Sequence, residues 1–179
     1  NRAPTFASAH VGLAETHVYL ATEYVYESRQ RFNLARQSLE RALSLDADLA
    51  EAHSALAYAR LVLDRDYSGA EREFRQAQDL KPGLAEAHSE YGWYLAAIGR
   101  LDDALVEMRR AKQRDPLSPF ANVAVATILM YQRQDAAAVQ EFQNTLELYP
   151  DFYVAHYGLG RAYAQARRYD EAVAEFEKA

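Results

Sequence analysis

Apolar residues return along this chain at helical spacing and in step with one another. Ala35, Leu39 and Ala42 stand at i, i+4 and i+7, and the trio recurs as Ala70, Phe74, Ala77, then Ala104, Met108, Ala111, then Ala138, Phe142, Thr145, then Ala172, Phe176, Ala179. The opening alanines lie 35, 34, 34 and 34 residues apart. Polar residues fill most of the positions between, so each trio predicts an amphipathic helix with one buried face. A second pattern precedes each trio. His10, His53, His88, Asn122 and His156 align, followed three residues on by Leu13, Leu56, Tyr91, Val125 and Leu159. The next position is always small: Ala14, Ala57, Gly92, Ala126, Gly160. This predicts a companion helix whose small residue lets its partner approach closely. Pro82, Pro116 and Pro150 then end the second helix of their units, because proline cannot continue one. Ser118 followed by Pro119 reads as an N-cap with proline in the first turn.

The chain therefore divides into units of two helices, at about 5–47, 48–82, 83–116, 117–150 and 151–179. Units of this length that cannot bury their own apolar face do so by stacking on their neighbours. The copies are unequal. From the aligned His or Asn to the opening alanine is 16 residues in the last three units, 17 in the second and 25 in the first. The stretch Val18–Phe32 thus holds an insertion of about nine residues, between or extending the paired helices. The second unit has one extra residue near Asp64–Gly69. Setting "APTFASAH" against "KPGLAEAH" puts Pro4 on Pro82, the position that closes an earlier repeat. The chain reads as one array, part of a longer one.

A 34-residue period with x-x-Leu-small, then Ala-x-x-x-Phe, then Pro resembles the tetratricopeptide repeat. Five copies in phase cover nearly the whole chain. The resemblance implies an all-α fold, a right-handed α-solenoid of about five stacked helix-turn-helix units. Within the family, Asp64–Ser118 is most similar to C-terminal arrays of bacterial multidomain regulators.

Composition narrows what such an array can meet. Gly and Pro number only 7 and 5, which favours helix. A net charge of −6 argues against a phosphate-binding surface, so nucleic acid is not an expected partner of this segment. Cysteine is absent, which excludes disulfides and thiolate metal sites. The longest apolar run, starting at Ala121, is far short of the roughly 20 residues a membrane span needs, and no signal peptide is legible. The cytoplasm is the favoured compartment.

Several motifs invite a chemical reading. One histidine per repeat could suggest a metal ladder, but repeats are displaced by about 10 Å, while metal ligands lie about 2 Å from a shared ion. These histidines, and His17, are expected as flat packing residues. Asp64, Asp66, Ser68 and Gly69 open like a calcium loop, but its twelfth position is Arg75 where a bidentate Glu belongs. Gly158-x-Gly160 has no preceding strand and no third glycine. The pair Asp102–Asp103 falls at a turn between helices. No catalytic constellation is present, and no cofactor or metal is expected.

What remains is surface. In the family, the first helices line a concave groove, which by resemblance places Glu15, Tyr19, Tyr58, Glu90, Trp93, Thr127, Tyr131, Tyr157 and Arg161 along it. That is an aromatic stripe with carboxylates on one side and Arg161 at the other end. The Lys and Asn that grip a C-terminal carboxylate in a well-known subgroup are missing at the matching positions. The expected function is a non-catalytic module that binds a peptide or partner domain there, as the regulatory or scaffold part of a larger protein. The alternatives are a self-assembly element, forming a homo-oligomer through the array ends, or a substrate-recruiting array of an attached enzyme.

Overall fold

The computed structural model describes residues 3–23 and 28–179, with side chains outside the description at 3–5, 15, 19–23, 28, 62 and 63. Every regular element among the described residues is helical. The helices are α1 (Ala3–Glu23), α2 (Ser28–Leu45), α3 (Ala50–Ala59), α4 (Tyr67–Leu80), α5 (Ala85–Ala97), α6 (Leu101–Arg114), α7 (Pro119–Tyr131), α8 (Asp135–Leu148), α9 (Tyr153–Gln165) and α10 (Tyr169–Phe176). They form two compact units, Asn1–Tyr94 and Leu95–Ala179.

The apolar trios are the core. Ala35, Leu39, Phe74, Ala104, Met108, Ala138 and Phe142 are all wholly buried. In the first unit, Val11 and Ala14 of α1, Leu39 and Ala42 of α2, and Ala52 and Leu56 of α3 make one cluster. Further along, Phe74 packs on Tyr91 and Tyr94, with ring centroids 5.6 Å away in each case. The Tyr94 hydroxyl donates to the Tyr67 carbonyl at 2.9 Å. In the second unit α8 packs against α7 and α9, and α9 against α10. Gly158 sits so close to Phe142 that a Cβ there would lie 2.3 Å from the ring. Gly160 makes the same approach to Phe176, at 2.6 Å. The sequence reads Gly160 as a small position, and the rings explain why it and Gly158 are glycine.

Helix ends follow the expected punctuation. Ser118 accepts from the Ala121 amide at 3.2 Å, with Pro119 opening α7. Four turns between paired helices pass through a left-handed residue, Arg65 (φ 51°), Gly99 (83°), Arg133 (62°) and Arg167 (61°). These positions are themselves 34 residues apart. The extra residue of the second repeat is absorbed just before Arg65, where Arg60–Asp64 form a π-helical turn. Bonding five residues back instead of four takes up one residue without moving the helices on either side. The longer first repeat appears as longer helices, 21 residues in α1 and 18 in α2. The remaining inserted positions, 24–27, lie outside the described residues. Pro4 differs from expectation: it stands in the first turn of α1, where its missing amide costs nothing, rather than ahead of a helix like Pro82.

Candidate protein-interaction surface

The repeated histidines are more than packing residues. His53 Nε2 lies 3.0 Å from the Ala47 carbonyl, His88 Nε2 3.1 Å from that of Pro82, and His156 Nε2 2.7 Å from that of Pro150. Each carbonyl is six residues earlier, so the ring straps the start of its helix to the turn before it. Asn122 does the same with its amide, donating to Pro116 at 3.0 Å. The other ring nitrogen holds the second helix of the repeat: His53 Nδ1 is 2.7 Å from Glu73, and His156 Nδ1 is 2.6 Å from Glu175. Burial pushes the Glu175 carboxyl up, but hydrogen bonds from Lys178 and His156, with their charge, outweigh it and hold it below the usual range. Among the described residues no three acidic or histidine side chains gather as a metal site.

The calcium-like stretch is spent on structure. Asp66 caps α4, accepting from the Gly69 amide at 2.9 Å and Ser68 at 3.1 Å, and pairs with Arg60 at 3.2 Å. The Gly69 amide chiefly holds its carboxyl below the ordinary range, although burial works against it. Asp64 pairs with Arg36 at 3.2 Å.

In the first unit, α3 and α5 meet along one polar and aromatic edge. Ser54 donates to the Glu90 carboxylate across the two helices. Tyr58 is half-buried beside it: burial, and then the charge of Glu90, push its hydroxyl pKa up. Trp93, one turn from Glu90, is exposed. At the same helices' N-terminal ends Lys81 reaches Glu51 at 2.7 Å, while Glu86 is exposed. The hydrogen bond from Lys81 keeps Glu51 below its usual pKa, against the opposing pull of burial. Thus Glu90 comes beside Ser54 and Tyr58, and Trp93 follows one turn on along α5. The side chains of Glu15 and Tyr19, also expected here, lie outside the described residues.

In the second unit, Tyr131 and Tyr157 are exposed, and the Arg161 guanidinium lies 5.8 Å from the centre of the Tyr157 ring. Thr127 turns its hydroxyl back onto the Val123 carbonyl at 2.8 Å. Sequence reasoning passed over an exposed aromatic cluster in this unit. Phe120 and Phe152 meet edge to face with centroids 5.1 Å apart, and Tyr153 lies beside them. Its only sequence signal is the aromatic residue near the start of successive first helices.

The tetratricopeptide repeat family model matches residues 64–119 and 124–179, and the chain belongs to that family. Its fold is the helical solenoid of tetratricopeptide repeat proteins, which are generally non-catalytic protein-interaction modules. DnaJ homolog subfamily C member 3 of Bos taurus is 29% identical over 125 residues, covering 70% of this chain. The chain spans only 23% of that relative's length. Among solved structures, PilW, a type IV pilus biogenesis factor, matches with TM-score 0.75 and 27% identity, over 92% of this chain and 75% of its own. YrrB, a repeat protein with an unusual peptide-binding site, matches with TM-score 0.63 and 20% identity, over 90% of this chain and 82% of its own. No helix among the described residues is long and apolar enough to cross a membrane.

Proposed function

We propose that the chain binds a basic peptide segment of a partner protein along the shared edge of α3 and α5. The observation behind this reading is Glu90 beside Ser54 and Tyr58, with the exposed Trp93 one turn on along α5 and Glu51 and Glu86 further along the same helices. An exposed Trp is a common anchor of binding energy, and Tyr and Trp give contact area at low entropic cost. Carboxylates on the same edge select lysine and arginine by charge, as does the net charge of −6. Thr127, Tyr131, Tyr157 and Arg161 form a second, separate candidate strip. We read the five repeats as one array with a regulatory or scaffold role, because their period runs on without interruption through α5.

Trp93 is the only tryptophan, so its emission reports on this edge. A peptide alternating lysine and leucine is expected to shift that emission, and one alternating glutamate and leucine is not. With a labelled lysine–leucine peptide followed by anisotropy, Trp93→Ala should weaken binding about tenfold or more without changing the far-ultraviolet circular dichroism. Unchanged affinity, or equal binding of the acidic peptide, would remove Trp93 and the carboxylates from the site.

A further inference from the structure

The second unit carries an apolar corner at positions where other repeats are polar or glycine. In the turn between α6 and α7, Leu117 is 72% exposed, and in the first turn of α7 Phe120 is 66% exposed. By the repeat, Leu117 takes the place of Asp48 and Gly83, and Phe120 that of Glu51 and Glu86. Stacking therefore requires no apolar side chain at either position. Nor is their exposure that of a helix at an end of the array, since α7 packs against α6, α8 and α9. Contiguous exposed apolar surface of this kind marks interaction sites.

The corner is rigidly built. Phe120 meets Phe152, half-buried at the turn between α8 and α9, edge to face at 5.1 Å. The Tyr149 hydroxyl donates to the Leu117 carbonyl, tying the two turns together. Asn122 donates to the Pro116 and Ser118 carbonyls at 3.0 and 2.8 Å, and His156 Nε2 lies 2.7 Å from that of Pro150. Both turns are thus fixed before a partner arrives, which lowers the ordering cost of binding. In the first unit the equivalent place is closed by the Lys81–Glu51 ion pair, whereas here Tyr149 and Phe120 stand at those positions. The surrounding charge is acidic. Asp115 and Asp151, one in each turn, are exposed and join no ion pair among the described residues, and Glu147 is exposed in the last turn of α8. Lys112 is taken by Glu141 at 2.7 Å, which leaves Arg114 against these three carboxylates.

We propose that this corner binds a segment of a partner protein in which an arginine stands next to a bulky apolar side chain. The apolar side chain covers Leu117 and Phe120. The guanidinium lies on the open surface of the Phe120 ring, and Asp115 and Asp151 balance its charge; a planar cation is suited to both contacts. An anionic membrane surface fits less well, because its headgroups would meet these carboxylates. The corner shares no residue with the α3–α5 edge, and binding at one does not depend on binding at the other.

A labelled peptide alternating arginine and leucine tests this by anisotropy on the intact chain carrying Trp93→Ala, which disables the α3–α5 edge. Binding should persist in that background. Phe120→Gln and Leu117→Ser, added to it singly, place polar side chains where other repeats hold Glu51 and Asp48, so circular dichroism should be unchanged while affinity falls about tenfold or more. Asp115→Asn together with Asp151→Asn should lower affinity about threefold or more and flatten its dependence on salt. With Trp93 in place, Phe120→Gln should leave the shift of its emission by the lysine–leucine peptide as it was, so either site can fail without the other. The proposal is overturned if the Trp93→Ala chain binds no arginine–leucine peptide at millimolar concentration, or if Phe120→Gln or Leu117→Ser keeps full affinity. Equal binding of the glutamate–leucine peptide would also overturn it. So would sedimentation of the unaltered chain with neutral lipid vesicles that Phe120→Gln abolishes, which would assign the corner to a membrane.

Discussion

At the scale of single residues, His53, His88 and His156 work as straps. In each of the three, one ring nitrogen meets the carbonyl six residues back, and in His53 and His156 the other meets a glutamate of the following helix. The sequence marks the position plainly but suggests only a flat ring. The clue it offers is Asn122, which shares with histidine a donor of the right reach and little else. That equivalence predicts a mutational order. His156→Leu leaves the Pro150 carbonyl without its donor and should lower the unfolding free energy by about 1–2 kcal/mol. His156→Asn keeps that donor, as Asn122 does, and should cost less. Urea denaturation of the two variants measures the difference, and a leucine variant as stable as the asparagine one would show that the ring serves only to pack. The aromatic candidates were legible as residue types. Whether Tyr58 is half-buried and Trp93 exposed was not, because both sit on first helices whose amphipathic pattern leaves such flanking positions undecided.

At the scale of the element, helix positions and caps follow from the period, the prolines and Ser118, which act locally. The turns are less obvious. Arg65, Arg133 and Arg167 occupy the left-handed conformation that Gly99 takes easily. A side chain there costs about 1 kcal/mol or more, so the geometry is imposed by the surrounding turn. At Arg133 the turn is held by the Gln134 amide donating to Leu129 at 3.0 Å, the usual closure of a helix by a left-handed residue. Arg133→Gly should therefore raise stability by about 0.5–1 kcal/mol, part of the relief being offset by the freer unfolded chain. Thermal melting would show a rise of a few degrees, and a fall would mean that the Arg133 side chain holds the turn in some other way. The π-helical turn at Arg60–Asp64 follows the same principle. An insertion is legible by counting residues, but the form it takes depends on which hydrogen bonds the fixed helices on either side allow.

At the scale of the whole molecule, the proposed peptide edge lies on α3 and α5. Trp93 belongs to α5, whereas the exposed Val173 belongs to α10. Changes at sites without shared partners act independently. Val173→Glu is therefore expected to leave peptide affinity unchanged, as measured by anisotropy, and a loss of affinity would place α10 within the binding surface. The sequence by itself determined the family, the helical class, the repeat boundaries and the buried trios. These depend on periodic burial, and periodicity is written in residue order. Only the tertiary structure decided which of two like stripes is covered. Ala9-x-x-Gly12-Leu13 and Ala155-x-x-Gly158-Leu159 read alike, yet one is open and the other closes on Phe142. A stripe on one helix becomes core only where another helix lies against it, and that contact is made by residues distant in the chain.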